Sequence, residues 1–183
     1  MDRKQLLEKI IAREAAMFIA VKASEPADCQ EMLKTFYLMR EMSHSVLAAD
    51  TLTSYLQDLE TAAAAGRNLM TEKYARMENL IPSLNENELI YKIVDIERKW
   101  LSEVHKKYPL TIAVEGGFTT YAVCELETYS DATLNLYYRD IFLAATQKRN
   151  LVEERYQYLY GNLGFKDLEE VEALAQKRAA LKE

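Results

Sequence analysis

"TLTSYLQDLETAAAAGRNLMTEKYARM", residues 51–77, is followed 82 residues later by "TLNLYYRDIFLAATQKRNLVEERYQYL", residues 133–159; the two align without a gap and agree at 11 of 27 positions. The shared residues include Thr51/Thr133, Leu52/Leu134, Tyr55/Tyr137, Asp58/Asp140, Arg67/Arg149, Asn68/Asn150, Leu69/Leu151, Glu72/Glu154 and Tyr74/Tyr156. Agreement at that level points to an internal duplication. With a one-residue adjustment the match extends upstream, where "EKIIAREAAMF" (8–18) meets "YKIVDIERKWL" (91–101) and Glu14 falls on Glu97. The expected fold is therefore all-α, a helical bundle in a single domain over 1–183. It consists of two tandem three-helix repeats, about 1–84 and 85–160, related by a pseudo-twofold, with a short C-terminal helix over about 167–182.

The rest of the chain agrees with a helical reading. Five Gly and three Pro in 183 residues leave few turns. Helical spacing of apolar residues predicts segments over about 3–22, 30–48, 50–77, 87–106, 118–129 and 131–160, and a last one from Asp167. Asp50 is the expected N-cap of the third, with a bend or restart at Gly66. A net charge of −6 with no basic stripe argues against a nucleic-acid surface, which needs clustered Lys and Arg to displace counterions. The N-terminal stretch is charged from its second residue, so neither a secretion signal nor a membrane span is expected there, and the reading is a soluble cytoplasmic protein. Cys29 and Cys124 stand far apart, which excludes a zinc knuckle or a disulfide scaffold and suits a reducing compartment. Cys29 in its Pro-containing segment is the candidate reactive thiol, and Cys124 a small core residue.

Glu14 and Glu97 carry the most information. Each interrupts an apolar stripe from within: Leu7, Ile10, Ile11, Glu14, Met17, Phe18 and Val21 in one helix, and Ile90, Ile93, Val94, Glu97, Trp100, Leu101 and Val104 in another. Both carboxylates should point inward, and a buried carboxylate needs a cation, a metal, a ligand or a proton. The duplicated Arg67 and Arg149 are available partners. Asn68 with Glu72, and Asn150 with Glu154, are four residues apart and share a helix face, with Tyr74 and Tyr156 close by. Two readings follow from these residues. In one, Arg–Glu networks hold the repeats together in a helical interaction or structural protein. In the other, Glu14, Arg67, Asn68, Glu72, Tyr74, Glu97, Arg149, Asn150, Glu154 and Tyr156 converge on a cavity for a small polar or anionic ligand, or for a metal held by Glu14, Glu72, Glu97 and Glu154. "EMSH" supplies one Glu-x-x-His pair of the dimetal type, Glu41 and His44, with Val123 and Leu126 at the equivalent places of the second half. Glu125 lies on the stripe of Phe118, Tyr121, Ala122 and Tyr129 and is read either as a further inward carboxylate or as an exposed flank. No nucleophile elbow, phosphate loop or dinucleotide fingerprint occurs, so no reaction, catalytic residue or cofactor is identified.

The stretches "REAAMFIAV", "DCQ", "IVDIERKW" and "HKKYP", taken with residues 51–77 and "ELETYSDATLNLYYRDIFLAATQKRNLVEERY", together cover most of residues 13–160. In these the chain resembles the bacterial domain-of-unknown-function family 4125. The resemblance implies a cytoplasmic bacterial protein and brings no activity, cofactor or site residue.

Overall fold

The structure, a computed structural model, describes residues 2–22, 29–114 and 116–181. These form helices α1 (Arg3–Lys22), α2 (Cys29–His44), α3 (Ala49–Ala64), α4 (Leu69–Met77), α5 (Leu89–Lys107), α6 (Phe118–Leu126), α7 (Asp131–Thr146), α8 (Leu151–Asn162) and α9 (Leu168–Ala180). No strand occurs among the described residues, and none of their helices is long and apolar enough to cross a membrane. Cys29 opens α2, and its side chain lies outside the described residues; Cys124 is a buried free thiol on α6, as its place in the sequence suggested.

The two long predicted runs, the first with its expected restart at Gly66 and the second read as unbroken, both divide at matching sequence positions. Helix α3 stops with Arg67 N–H donating to the Ala62 carbonyl (2.8 Å) and Gly66 N–H to the Ala63 carbonyl (3.0 Å), and α7 stops with Arg149 donating to Ala144 (2.9 Å) and Lys148 to Ala145 (3.0 Å). This doubly bonded ending needs a left-handed residue. Gly66 supplies it at φ 70°, and Lys148 adopts it at φ 56°. A left-handed conformation costs a side chain with a Cβ about 1–2 kcal/mol, yet Lys148 adopts it, and no glycine marks the second break. The sixth predicted helix is accordingly two helices, α7 and α8.

Helix α1 packs on α2, α3 and α4, and α5 packs on α6, α7 and α8. Across the molecule α3 packs on α7, α4 on α6, and α2 on α8, while α9 rests on α8. Ile10, Leu52, Leu59, Ile90, Ile93, Leu134 and Ile141 are fully buried where these helices meet. Asp50 does not cap α3: the N-cap is Ala48, which has no side chain to do so. Asp140 of α7 reaches this end of α3 instead, accepting from Ala48 N–H (2.9 Å) and the Thr51 hydroxyl (2.6 Å). Reciprocally, Asp58 of α3 accepts from Ser130 N–H at the start of α7 (3.0 Å). The duplicated Asp thus ties each central helix to the start of the other.

Candidate binding site

Both interrupting carboxylates are buried, Glu14 at 0% exposure and Glu97 at 4%. Glu14 is saturated. Its Oε1 accepts from Arg40 Nη2 (2.6 Å), the Tyr55 hydroxyl (2.7 Å) and His44 Nε2 (3.0 Å), and its Oε2 accepts from Arg40 Nε (2.9 Å). His44 Nε2 also lies 3.2 Å from Arg40 Nη2. Burial alone would raise the Glu14 carboxyl, but the Arg40 guanidinium and His44 outweigh it and hold it down at about 2. Arg40 continues to a second carboxylate, with Nη2 2.7 Å from Glu125 Oε1 and Nη1 donating to Glu125 Oε2 (3.0 Å). The buried Lys73 donates to Glu125 Oε2 (3.2 Å) and to the Tyr121 hydroxyl (3.1 Å), with its ammonium 4.5 Å from the Tyr121 ring centroid. Burial opposes the charge on Glu125, but Arg40 and Lys73 keep its carboxyl well below the ordinary range. Glu125 is therefore the inward carboxylate, not the exposed flank.

Glu97 is bound differently. It accepts from the Tyr137 hydroxyl (2.9 Å), and Arg155 Nη2 lies 2.7 Å away; both interactions end on Oε1. Arg155 Nη2 also donates to the Tyr137 hydroxyl (2.6 Å). Among the described residues, Arg155 Nε is the one buried side-chain polar atom without a hydrogen-bond partner. Such a donor carries a desolvation penalty of about 1–3 kcal/mol. Arg155, Glu97 and Tyr137 face a cavity of about 540 Å³ whose wall also includes Arg40, His44 and Glu125, alongside Met39, Met42, Phe118, Leu101, Leu126 and Val152. A largely apolar recess with a few converging polar groups is the usual form of a small-molecule site.

Of the residues proposed from the sequence, Glu97 and Tyr156 line this cavity, and Glu14 sits behind Arg40 and His44. The other duplicated residues do not converge there. Arg67 grips Glu72 through Nε (2.8 Å) and Nη2 (2.7 Å), and Arg149 grips Glu154 in the same way (2.8 and 2.6 Å), each pair outside the core at its own helix corner. Arg67 and Arg149 are thus not the partners of Glu14 and Glu97. Asn68 is the N-cap of α4, accepting from Met70 and Thr71 N–H, and its amide donates to the Met17 carbonyl of α1 (2.9 Å). Asn150 caps α8 and donates to the Trp100 carbonyl of α5 (3.2 Å). The recurring "RN" is a corner that fastens α4 to α1 and α8 to α5. Tyr74 flanks Lys73, whose ammonium is 5.1 Å from its ring.

The proposed metal set is corrected by the same placement. Among the described residues no group of three or more His, Cys, Asp or Glu is arranged to hold a metal ion. Glu72 and Glu154 are engaged by arginines at the corners, and the Glu41 of "EMSH" accepts from the Tyr158 hydroxyl (2.7 Å) while His44 turns to Glu14. The partners that the sequence reading missed are Arg40, Lys73 and Arg155. Lys73 and Arg155 occupy matching positions of the repeat and interrupt the buried rows Leu69, Met70 and Leu151, Val152, Leu159. That is the signal that exposed Glu14 and Glu97, but a Lys aligned with an Arg does not register as an identity.

Fold and site together define an all-helical bundle with paired charges beside a cavity. The model of a family described as Protein of unknown function (DUF4125) matches residues 4–173, and the chain belongs to that family. No curated protein and no solved structure matches it.

Proposed function

We propose that the protein is a small-molecule-binding protein of the bacterial cytoplasm, built from two duplicated helical units facing each other across a pseudo-twofold, with a polar ligand held between them. The duplication is supported by the 82-residue repeat, by the reciprocal packing of α4 on α6 and α2 on α8, and by the reciprocal hydrogen bonds of Asp58 to the start of α7 and Asp140 to the start of α3. Binding rests chiefly on one observation: the cavity of about 540 Å³ is walled by Glu97 and Arg155, whose Nε has no partner. A network serving only to join the halves gains nothing from an open space or a stranded donor, because apolar burial holds helices together more effectively. The structural reading keeps its force for Glu14, whose four donors leave nothing for a ligand.

Mass spectrometry of the purified protein under native conditions tests the proposal. The wild type should retain a non-covalent small molecule, or acquire one from a low-molecular-weight cell extract, and Glu97→Gln should lose it at least tenfold. A wild type that shows only the polypeptide mass in both experiments would overturn the reading.

A further inference from the structure

The two halves differ where the cavity lies, and the difference specifies the ligand. In the first half Glu14 is gripped by Arg40 and His44 from α2. Eighty-two residues later, at the corresponding places on α6, stand Ala122 and Leu126. Both are buried and both line the cavity. The cavity is therefore the room left where the second half lacks an arginine and a histidine. Glu97 consequently has no α6 cation, and the two interactions that hold it, from the Tyr137 hydroxyl and Arg155 Nη2, both end on Oε1. Beside it, Arg155 Nε needs an acceptor.

From this the geometry points to a zwitterion with an apolar body, an α-amino acid of large side chain or its close analogue. The inference rests on the binding proposal above. The ammonium takes the place that Arg40 and His44 hold against Glu14 and donates to Glu97; the carboxylate accepts from Arg155 Nε–H. The charged residues of the wall, Arg40, Arg155, Glu97 and Glu125, cancel in formal charge. A ligand of net charge would enter uncompensated, whereas a zwitterion brings an equal balance and offers an ammonium to Glu97 and a carboxylate to Arg155. Met39, Met42, Phe118 and Val152 offer an apolar surface for the side chain.

Titration calorimetry at pH 7 with L-phenylalanine, L-leucine and L-methionine, and with phenethylamine and 3-phenylpropionate as phenylalanine analogues lacking one charge, tests this on the wild-type chain. At least one amino acid should bind saturably, and phenethylamine and 3-phenylpropionate should each bind at least tenfold more weakly than phenylalanine. Ala122→Arg, which installs the counterpart of Arg40, should abolish binding while keeping a cooperative thermal transition; Leu126→His serves as a second filler if that variant does not fold. Equal binding of 3-phenylpropionate or of phenethylamine would overturn the zwitterion. So would failure of all five compounds, and in that case a small molecule retained in native mass spectrometry would show that the cavity binds a different class, whereas its absence would remove the binding site as well.

Discussion

Glu14→Ala is expected to cost about 3–5 kcal/mol of folding stability, because it strands two charged or polar partners, Arg40 at 3% exposure and His44 at 1%, without their common acceptor. For a chain of this size each kcal/mol lowers the thermal midpoint by about 2–4 °C, so a fall of roughly 10 °C is anticipated. The loss exceeds that of an ordinary hydrogen bond, since Arg40, the Tyr55 hydroxyl and His44 all converge on this carboxylate. Glu72→Ala provides the contrast. Glu72 pairs with Arg67, which is half exposed, and exposed pairs are worth about 0–1 kcal/mol. Chemical denaturation of both variants checks the pair of values. A loss below about 0.5 kcal/mol for Glu14→Ala would mean that Arg40 and His44 reach water in solution.

Acid should unfold the protein through the same carboxylates. The Glu14 carboxyl is held at about 2 in the folded state against an ordinary value of 4.5. A group depressed on folding contributes stability that is fully present above its unfolded pKa and is lost as pH falls through its folded one. The contribution of Glu14 is therefore complete above about pH 4.5 and disappears between there and about pH 2, amounting to about 3 kcal/mol. Glu125, also depressed, acts in the same direction. Denaturant midpoints measured from pH 6 to pH 2.5 should fall steeply below 4.5, and Glu14→Gln, less stable throughout, should show a shallower fall. A wild-type profile flat between pH 4.5 and 2.5 would contradict the network.

How far the sequence could be read depended on the kind of physical signal involved. Glu14 and Glu97 were legible because a charge inside a helical apolar stripe has one direction to point, and the stripes themselves bury as their spacing implied. Their partners were not, because periodicity says which face of a helix is buried and not which other helix it meets: Arg40 reaches Glu14 from α2 and Glu125 from α6, 85 residues away in the chain. The strongest repeat signal was misassigned for a related reason. Arg67, Asn68 and Glu72 recur as Arg149, Asn150 and Glu154 at two separate corners, before α4 and before α8; a local task carried out twice leaves the same trace in sequence as a shared site. Lys148 hid the break between α7 and α8, since a lysine in the left-handed region has no sequence mark. The cavity was invisible because it arises from what is missing, Ala122 and Leu126 where Arg40 and His44 stand in the first half.

The claim that Arg155 and Glu97 form a ligand site is tested most directly by the Nε–Hε resonance of Arg155 in a ¹H–¹⁵N NMR titration, assigned with Arg155→Lys. This nitrogen is buried and has no hydrogen-bond partner in the structure, so a ligand that accepts from it must move the signal. On adding the low-molecular-weight cell extract, the Arg155 signal should shift saturably downfield, while the Nε–Hε signals of Arg67 and Arg149, already bonded to Glu72 and Glu154, stay where they are. An Arg155 signal that never moves, in a protein otherwise folded, would contradict the account and leave the cavity a packing feature of a purely structural network.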